Sequence, residues 1–132
     1  MAHNIRQITS KLLHVHDRLT GFNFLVDTGA EVSVLPATQT QKLVTPTTHL
    51  YAANNSRIPV FQRQTLTLKL SIRRSFTWTF SVAAVSQPIL GADFLQHFNL
   101  LVDLGSCKLL DLSLHSGREA RLHPALVLDS PP

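Results

Sequence analysis

Hydrophobic and polar residues alternate along much of this 132-residue chain. In "TLTLKLSI" (65–72), Leu66, Leu68, Leu70 and Ile72 fall on one side and polar groups on the other. After Arg73-Arg74, "SFTWTFSV" repeats the pattern with Phe76, Trp78, Phe80 and Val82. Side chains along a strand change face at every residue, so two such runs in succession predict a β-hairpin with one apolar face. "KLLHVH" (Lys11–His16) is a shorter case, with Leu13 and Val15 on one face, and "DRLTG" turns it into the apolar run Phe22–Asp27. "EVSVLP" alternates Val32 and Val34 and stops at Pro36. "LYAANNSRIPVF" (Leu50–Phe61) reads as two extended arms around Asn54-Asn55, residues that tolerate the left-handed backbone of a hairpin tip.

The pattern breaks at "QPILGADFLQHF", which gives a short apolar strand, Gly91, and helix-compatible spacing over Ala92–Phe98. "LLVDLGSCKLLDL" (Leu100–Leu112) predicts a final hairpin around Gly105-Ser106. From His115 onward the periodicity is lost and the chain ends in Pro-Pro. The expected organisation is an N-terminal extension over 1–10, one all-β domain over 11–114, and a tail or linker over 115–132.

Composition narrows the class. Apolar residues make up 44% and charged residues 15%, a balance that favours a packed core over disorder. No apolar run approaches the roughly 20 residues that span a bilayer, and "MAHNIRQITSKLLHVH" lacks a signal peptide's apolar stretch, so no membrane association is expected. A single cysteine, Cys107, excludes an intrachain disulfide and fits a cytoplasmic setting or a particle assembled there. The net charge of +4 invites a nucleic-acid reading. The basic residues are scattered from Arg6 to Arg121, however, and no aromatic residues alternate with them as stacking platforms. A mildly basic surface is the better account, and no nucleic-acid partner is expected.

The chemistry concentrates at "FNFLVDTGAEVSVLP" (Phe22–Pro36), where an apolar strand ends on the carboxylate Asp27 and turns at Gly29. A carboxylate there costs free energy unless its charge is stabilised, and strand-end loops commonly hold catalytic groups. Asp-Thr-Gly alone is a weak signal; the bland alternative is a strand-end turn. Its context sharpens it: Ala30 follows, and a second apolar run, "PILG", ends on Gly91. His14 and His16 share a strand face, but no further ligand stands at metal-binding spacing, so no metal is expected. Asp93 is expected to cap the short helix or pair with an arginine, and Asp103 to be structural.

These pieces together resemble the retropepsins, the retroviral-type aspartic proteases, and among them those of Gypsy-type LTR retrotransposons. The matching segments are "FLVDTGAEVSVLP", "LYAANNSRI", "FTWTFSVAAVSQPILGADFL" and "LLVDLGSCKLLD", which lie between Lys11 and Leu112. The resemblance implies a closed β-barrel-like fold with a flap hairpin and one short helix, active as a homodimer on peptide or polyprotein substrates without a cofactor. It implies Asp27 as the catalytic residue, one from each chain. Thr28, Gly29, Ala30 and Gly91 would support the loop. Val34, Tyr51, Asn54, Asn55, Ile58 and Ile89 would face substrate, although Val34 and Ile89 fit a plain core equally well, and Tyr51 and Ile58 plain hairpin packing. Ala30 offers no hydroxyl to the carboxylates, so a less acidic optimum is expected than with Ser or Thr there. The chain departs from the family at Asn55 and Gln62, where glycine is usual or frequent. The alternative is a catalytically inactive retropepsin-like dimerisation or peptide-binding module.

Overall fold

The computed structural model describes residues 12–113 and 127–130. Its strands are β1 (Leu12–His16), β2 (Asn23–Val26), β3 (Val34–Pro36), β4 (Thr48–Tyr51), β5 (Arg57–Leu68), β6 (Phe76–Ala83) and β7 (Ile89–Leu90). The helix α1 (Ala92–His97) follows, then β8 (Leu100–Asp103), β9 (Lys108–Asp111) and β10 (Val127–Ser130). The long β5–β6 hairpin is the one the alternation predicts. Phe76, Phe80, Leu68 and Leu70 are fully buried, and Val82 and Ile72 nearly so. On the opposite face, Thr65 and Thr67 pair through their hydroxyls with Thr79 and Thr77. Phe24 from β2 stacks on Phe80, with ring centroids 5.6 Å apart, and Phe94 from α1 closes the same cluster against Phe76 and Phe80. None of the described helices is long and apolar enough to cross a membrane.

Eight strands form one sheet in the order β10-β1-β2-β7-β3-β6-β5-β4, and β8–β9 form a separate ladder. The short β7 lies between β2 and β3, parallel to the former and antiparallel to the latter, while β3 runs parallel to β6. This crossover sets the end of β2 beside the end of β7 although they lie far apart in sequence.

The sheet curls so that the β1–β2 turn meets the end of β5. The N–H of Arg18 donates to the carbonyl of Lys69 at 3.1 Å, and the N–H of Lys69 donates to Asp17 Oδ1 at 2.6 Å. Asp17 is fully buried and also accepts from the Thr20 hydroxyl and the N–H groups of Thr20 and Leu19. Burial pushes its carboxyl up, but these hydrogen bonds to the ionised form outweigh it and hold Asp17 below the ordinary range. At the other end, Arg74 donates from Nε to buried Asp111 at 2.8 Å and from Nη2 to the Phe98 carbonyl, while its guanidinium lies over Phe76 and Phe98. The β5–β6 turn is thereby fastened to β9 and to the end of α1.

Two local differences from the sequence pattern have physical causes. Strict alternation puts Val32 and Val34 on a buried face, yet Ser33, Val34 and Leu35 are all buried and Val32 only half so. Buried hydrogen bonds to Ser33, described below, hold it inside. In addition Val127–Ser130, within the stretch read as tail or linker, pairs antiparallel with β1.

Candidate active site

Asp27 follows β2 directly, and its N–H donates to the Leu90 carbonyl at 3.0 Å, extending the β2–β7 pairing by one residue. The chain then turns over Thr28 and Gly29, closed by the Ala30 N–H bonding to the Asp27 carbonyl at 3.1 Å. Within that turn the Gly29 N–H donates to Asp27 Oδ1 at 3.0 Å and orients the carboxylate. Asp27 is half-buried, whereas Thr28 and Gly29 are exposed.

The segment after β7 holds this turn from beneath. Gly91 is buried, and a Cβ there would stand 2.6 Å from the Ala30 carbonyl oxygen. The Ala92 N–H donates to that same oxygen at 2.7 Å, and the Asp93 N–H to the Glu31 carbonyl at 3.3 Å. Asp93 accepts from the Phe94 N–H in the first turn of α1, but its principal partner is Ser33. Asp103 accepts from the Ser106 N–H in the β8–β9 turn.

A groove of about 620 Å³ opens in front of the turn. Asp27, Gly29, Ala30, Val34 and Ile89 form its floor, and Tyr51, Ala52, Ala53 and Ile58 from the β4–β5 hairpin overhang it. Asn54 and Asn55 stand at the tip of that hairpin outside the lining, as does Thr28, and Gly91 lies below. Thr28 instead borders a second cavity of about 300 Å³ with Leu12, Leu13, Val26, Val102 and Leu104. Asp27 lines both cavities. Among the groove residues missed from the sequence are Glu31, Val32, His49 and Val85. Glu31 immediately follows the Asp-Thr-Gly-Ala turn and so carried a positional signal. His49 and Val85 come from distant segments and carried none.

The hairpin tip is ordered by its own groups. Asn55 adopts a left-handed φ of 69°, its N–H bonds to the Ala52 carbonyl at 2.8 Å, and Asn54 Oδ1 accepts from both the N–H and the hydroxyl of Ser56.

Two solved structures share the architecture. Equine infectious anaemia virus (EIAV) protease complexed with the inhibitor HBY-793 superposes with a TM-score of 0.53 at 26% identity, covering 70% of this chain and 91% of that one. The retroviral protease-like domain of Ddi1 from Leishmania major gives 0.54 at 18% identity, covering 88% and 95%. No family model matches the chain, and no curated protein matches it in sequence. The fold of this chain is that of the retropepsins, the retroviral-type aspartic proteases.

Proposed function

We propose that the chain is an aspartic endopeptidase that works as a homodimer, each copy supplying one Asp27. The observation that carries this reading is the position of Asp27 on the border between a groove and a second, mostly apolar cavity. A second copy seated against that cavity would bring its own Asp27 next to the first across a two-fold axis. Two carboxylates held close cannot both ionise readily, so they share one proton. The ionised member takes a proton from water as it attacks the scissile carbonyl, and the protonated member donates to the carbonyl oxygen. The groove has the form for an extended peptide held beneath the β4–β5 flap, with Val34, Ile89, Tyr51 and Ile58 against its side chains. Thr28, exposed beside the second cavity, would hydrogen-bond across the dimer. No step calls for a metal or organic cofactor.

The catalytic unit would span 11–114, with Val127–Ser130 added along β1. Its natural substrate would be a retroelement polyprotein of the Gypsy type, processed in the cytoplasm or in a particle assembled there. The test is cleavage of a peptide mixture, with and without pepstatin, over a thousandfold range of protein concentration. Asp27→Asn should lower the rate by at least about 10²-fold, the lower bound for general acid–base catalysis, without unfolding the protein. Specific activity should also fall on dilution as dimers dissociate. Constant specific activity from a species that sediments as a monomer would refute the shared site, and Glu31, the other acid lining the groove, would be tested next.

A second reading is an inactive dimerisation or peptide-binding module. The self-bonded flap tip at Asn54, Asn55 and Ser56 favours it, and it implies peptide binding without turnover.

A further inference from the structure

Ser33 is a hydroxyl with no exposed surface, set among Val34, Leu35, Leu90 and Phe94, which are all buried. A buried hydroxyl is tolerated only where hydrogen bonds replace its water. Ser33 Oγ donates to Asp93 Oδ1 at 2.6 Å and accepts from the Gly91 N–H at 2.8 Å. The Ser33 N–H donates to the second carboxylate oxygen, Asp93 Oδ2, at 3.1 Å. One carboxylate thus grips the side chain and the backbone of the same residue, across 60 positions of sequence.

We propose that Ser33 and Asp93 are a positioning pair that sets the Asp27 turn; the inference rests on the protease reading above and deepens it. The strand that carries Asp27 into β3 is fastened to residues 90–93 at successive points. Leu90 takes the Asp27 N–H, Ala92 bonds the Ala30 carbonyl, Asp93 bonds the Glu31 carbonyl, and Gly91 bonds Ser33 Oγ. Every one of these but the last is backbone to backbone. The Ser33–Asp93 clamp is the side-chain component that fixes the far end of the strap. Without it, the three backbone bonds remain but the far end of the strap at Ser33 is released, which loosens the turn that holds Asp27. Neither Ser33 nor Asp93 lines the groove, so the pair acts through Asp27 and not on substrate.

Ser33→Ala and Asp93→Ala should each lower kcat about 10- to 100-fold, the range expected when a catalytic group is displaced by up to about 1 Å. KM should change far less, because the flap residues that overhang the substrate are untouched. Because the two residues act as one unit, the double variant should be about as slow as either single one. Ser33→Thr, which keeps the hydroxyl, and Asp93→Asn, whose oxygen can accept from the Ser33 N–H while its NH2 donates to Ser33 Oγ, should recover much of the rate. Two single effects that multiply in the double variant, or a loss of thermal stability with kcat unchanged, would overturn the proposal. Amide hydrogen exchange keeps the test independent of turnover. The Gly91 and Ala92 N–H groups should exchange at least about tenfold faster in Asp93→Ala while Phe80, in the middle of β6, stays protected. Equal protection in wild type and variant would refute the strap even if the chain cleaves nothing; an inactive wild type with an intact strap would refute the protease reading alone.

Discussion

Gly91→Ala separates space from backbone conformation as the reason for a glycine beneath Asp27. Gly91 has φ −98° and ψ −173°, extended values that any residue adopts, so alanine brings no torsional strain. Its Cβ would lie 2.6 Å from the Ala30 carbonyl oxygen and 3.0 Å from the carbonyl carbon and oxygen of Val32. All three atoms are backbone, so nothing can rotate aside. Residues 30–32 must move as a piece, by several tenths of an ångström, or Gly91 must withdraw and stretch the Ala92-to-Ala30 hydrogen bond. Overpacking of this kind costs about 1–3 kcal/mol. The movement falls on the turn that aims Asp27, and a displacement of about 1 Å costs on the order of 100-fold in rate. Urea unfolding followed by fluorescence should show a lower midpoint with an unchanged slope. Steady-state cleavage at saturating dimer should show the rate loss mainly in kcat. Gly21→Ala is the control: Gly21 has φ +83° with nothing within 4 Å of its Cβ position. It should lose about 1–2 kcal/mol of stability through left-handed strain and keep its kcat. A Gly91→Ala protein with wild-type stability and kcat would refute the packing argument.

Acid should destabilise the fold through Asp17 and Asp111, whose carboxyls lie below their ordinary 3.8 in the folded state: burial raises each, and hydrogen bonds, with the Arg74 charge at Asp111, lower each further. Their stabilisation is present above the unfolded value and is lost as pH falls through the folded values, so urea midpoints should drop below about pH 4, and a midpoint flat to pH 2 would contradict this. Thr28→Ala should weaken the dimer by roughly 0.5–1.5 kcal/mol for each hydrogen bond lost, a loss that two-fold symmetry counts twice; sedimentation across concentration checks it, and an unchanged dissociation constant would remove Thr28 from the interface. At the flap tip, Asn55→Gly should be nearly neutral and Asn55→Val should raise KM, because φ 69° is open to Gly and Asn and costly for a β-branched side chain. Equal KM values for the two variants would show that the tip does not govern substrate entry.

Local periodicity made the strands legible. The alternating runs around Arg73-Arg74 become β5 and β6, with Phe76, Phe80, Leu68 and Leu70 buried because every second side chain faces the core. The Asn-Asn tip and the helix after Gly91 were legible for similar local reasons, turn chemistry and a change of period. Part of the groove lining was legible through the resemblance, which singled out Val34 and Ile89 together with Asp27, and Gly91 beneath the turn. What stayed hidden depends on contacts between distant segments. Ser33 breaks no rule of composition, and only the fold shows that Asp93 lies beneath it. Asp17 reads as an ordinary turn residue until Lys69 is found bonded to its carboxylate. Asp111 gives no hint that Arg74 reaches it from a hairpin turn. Val127–Ser130 is too short and too isolated in sequence to declare itself as a strand, since its pairing with β1 supplies the reason for it to be one.

The two departures from the family pattern, Asn55 and Gln62, are answered by the backbone in different ways. At the tip, Asn55 takes the left-handed conformation itself, which asparagine tolerates better than other non-glycine residues. The tip is therefore a turn of three residues, Ala53 to Asn55, between Ala52 and Ser56, which are bonded across it within the five-residue link from β4 to β5. On the returning strand the register slips between Val60 and Gln62, leaving Phe61 as the extra residue opposite β6. A bulge bends a strand and increases its twist without a glycine. It lets β5 leave its pairing with β6 and run out beside β4 as the flap. The bend needed for a hairpin to overhang Asp27 is thus supplied by register, and the turn at its end by one left-handed asparagine. Neither position requires glycine for the flap to reach over the groove.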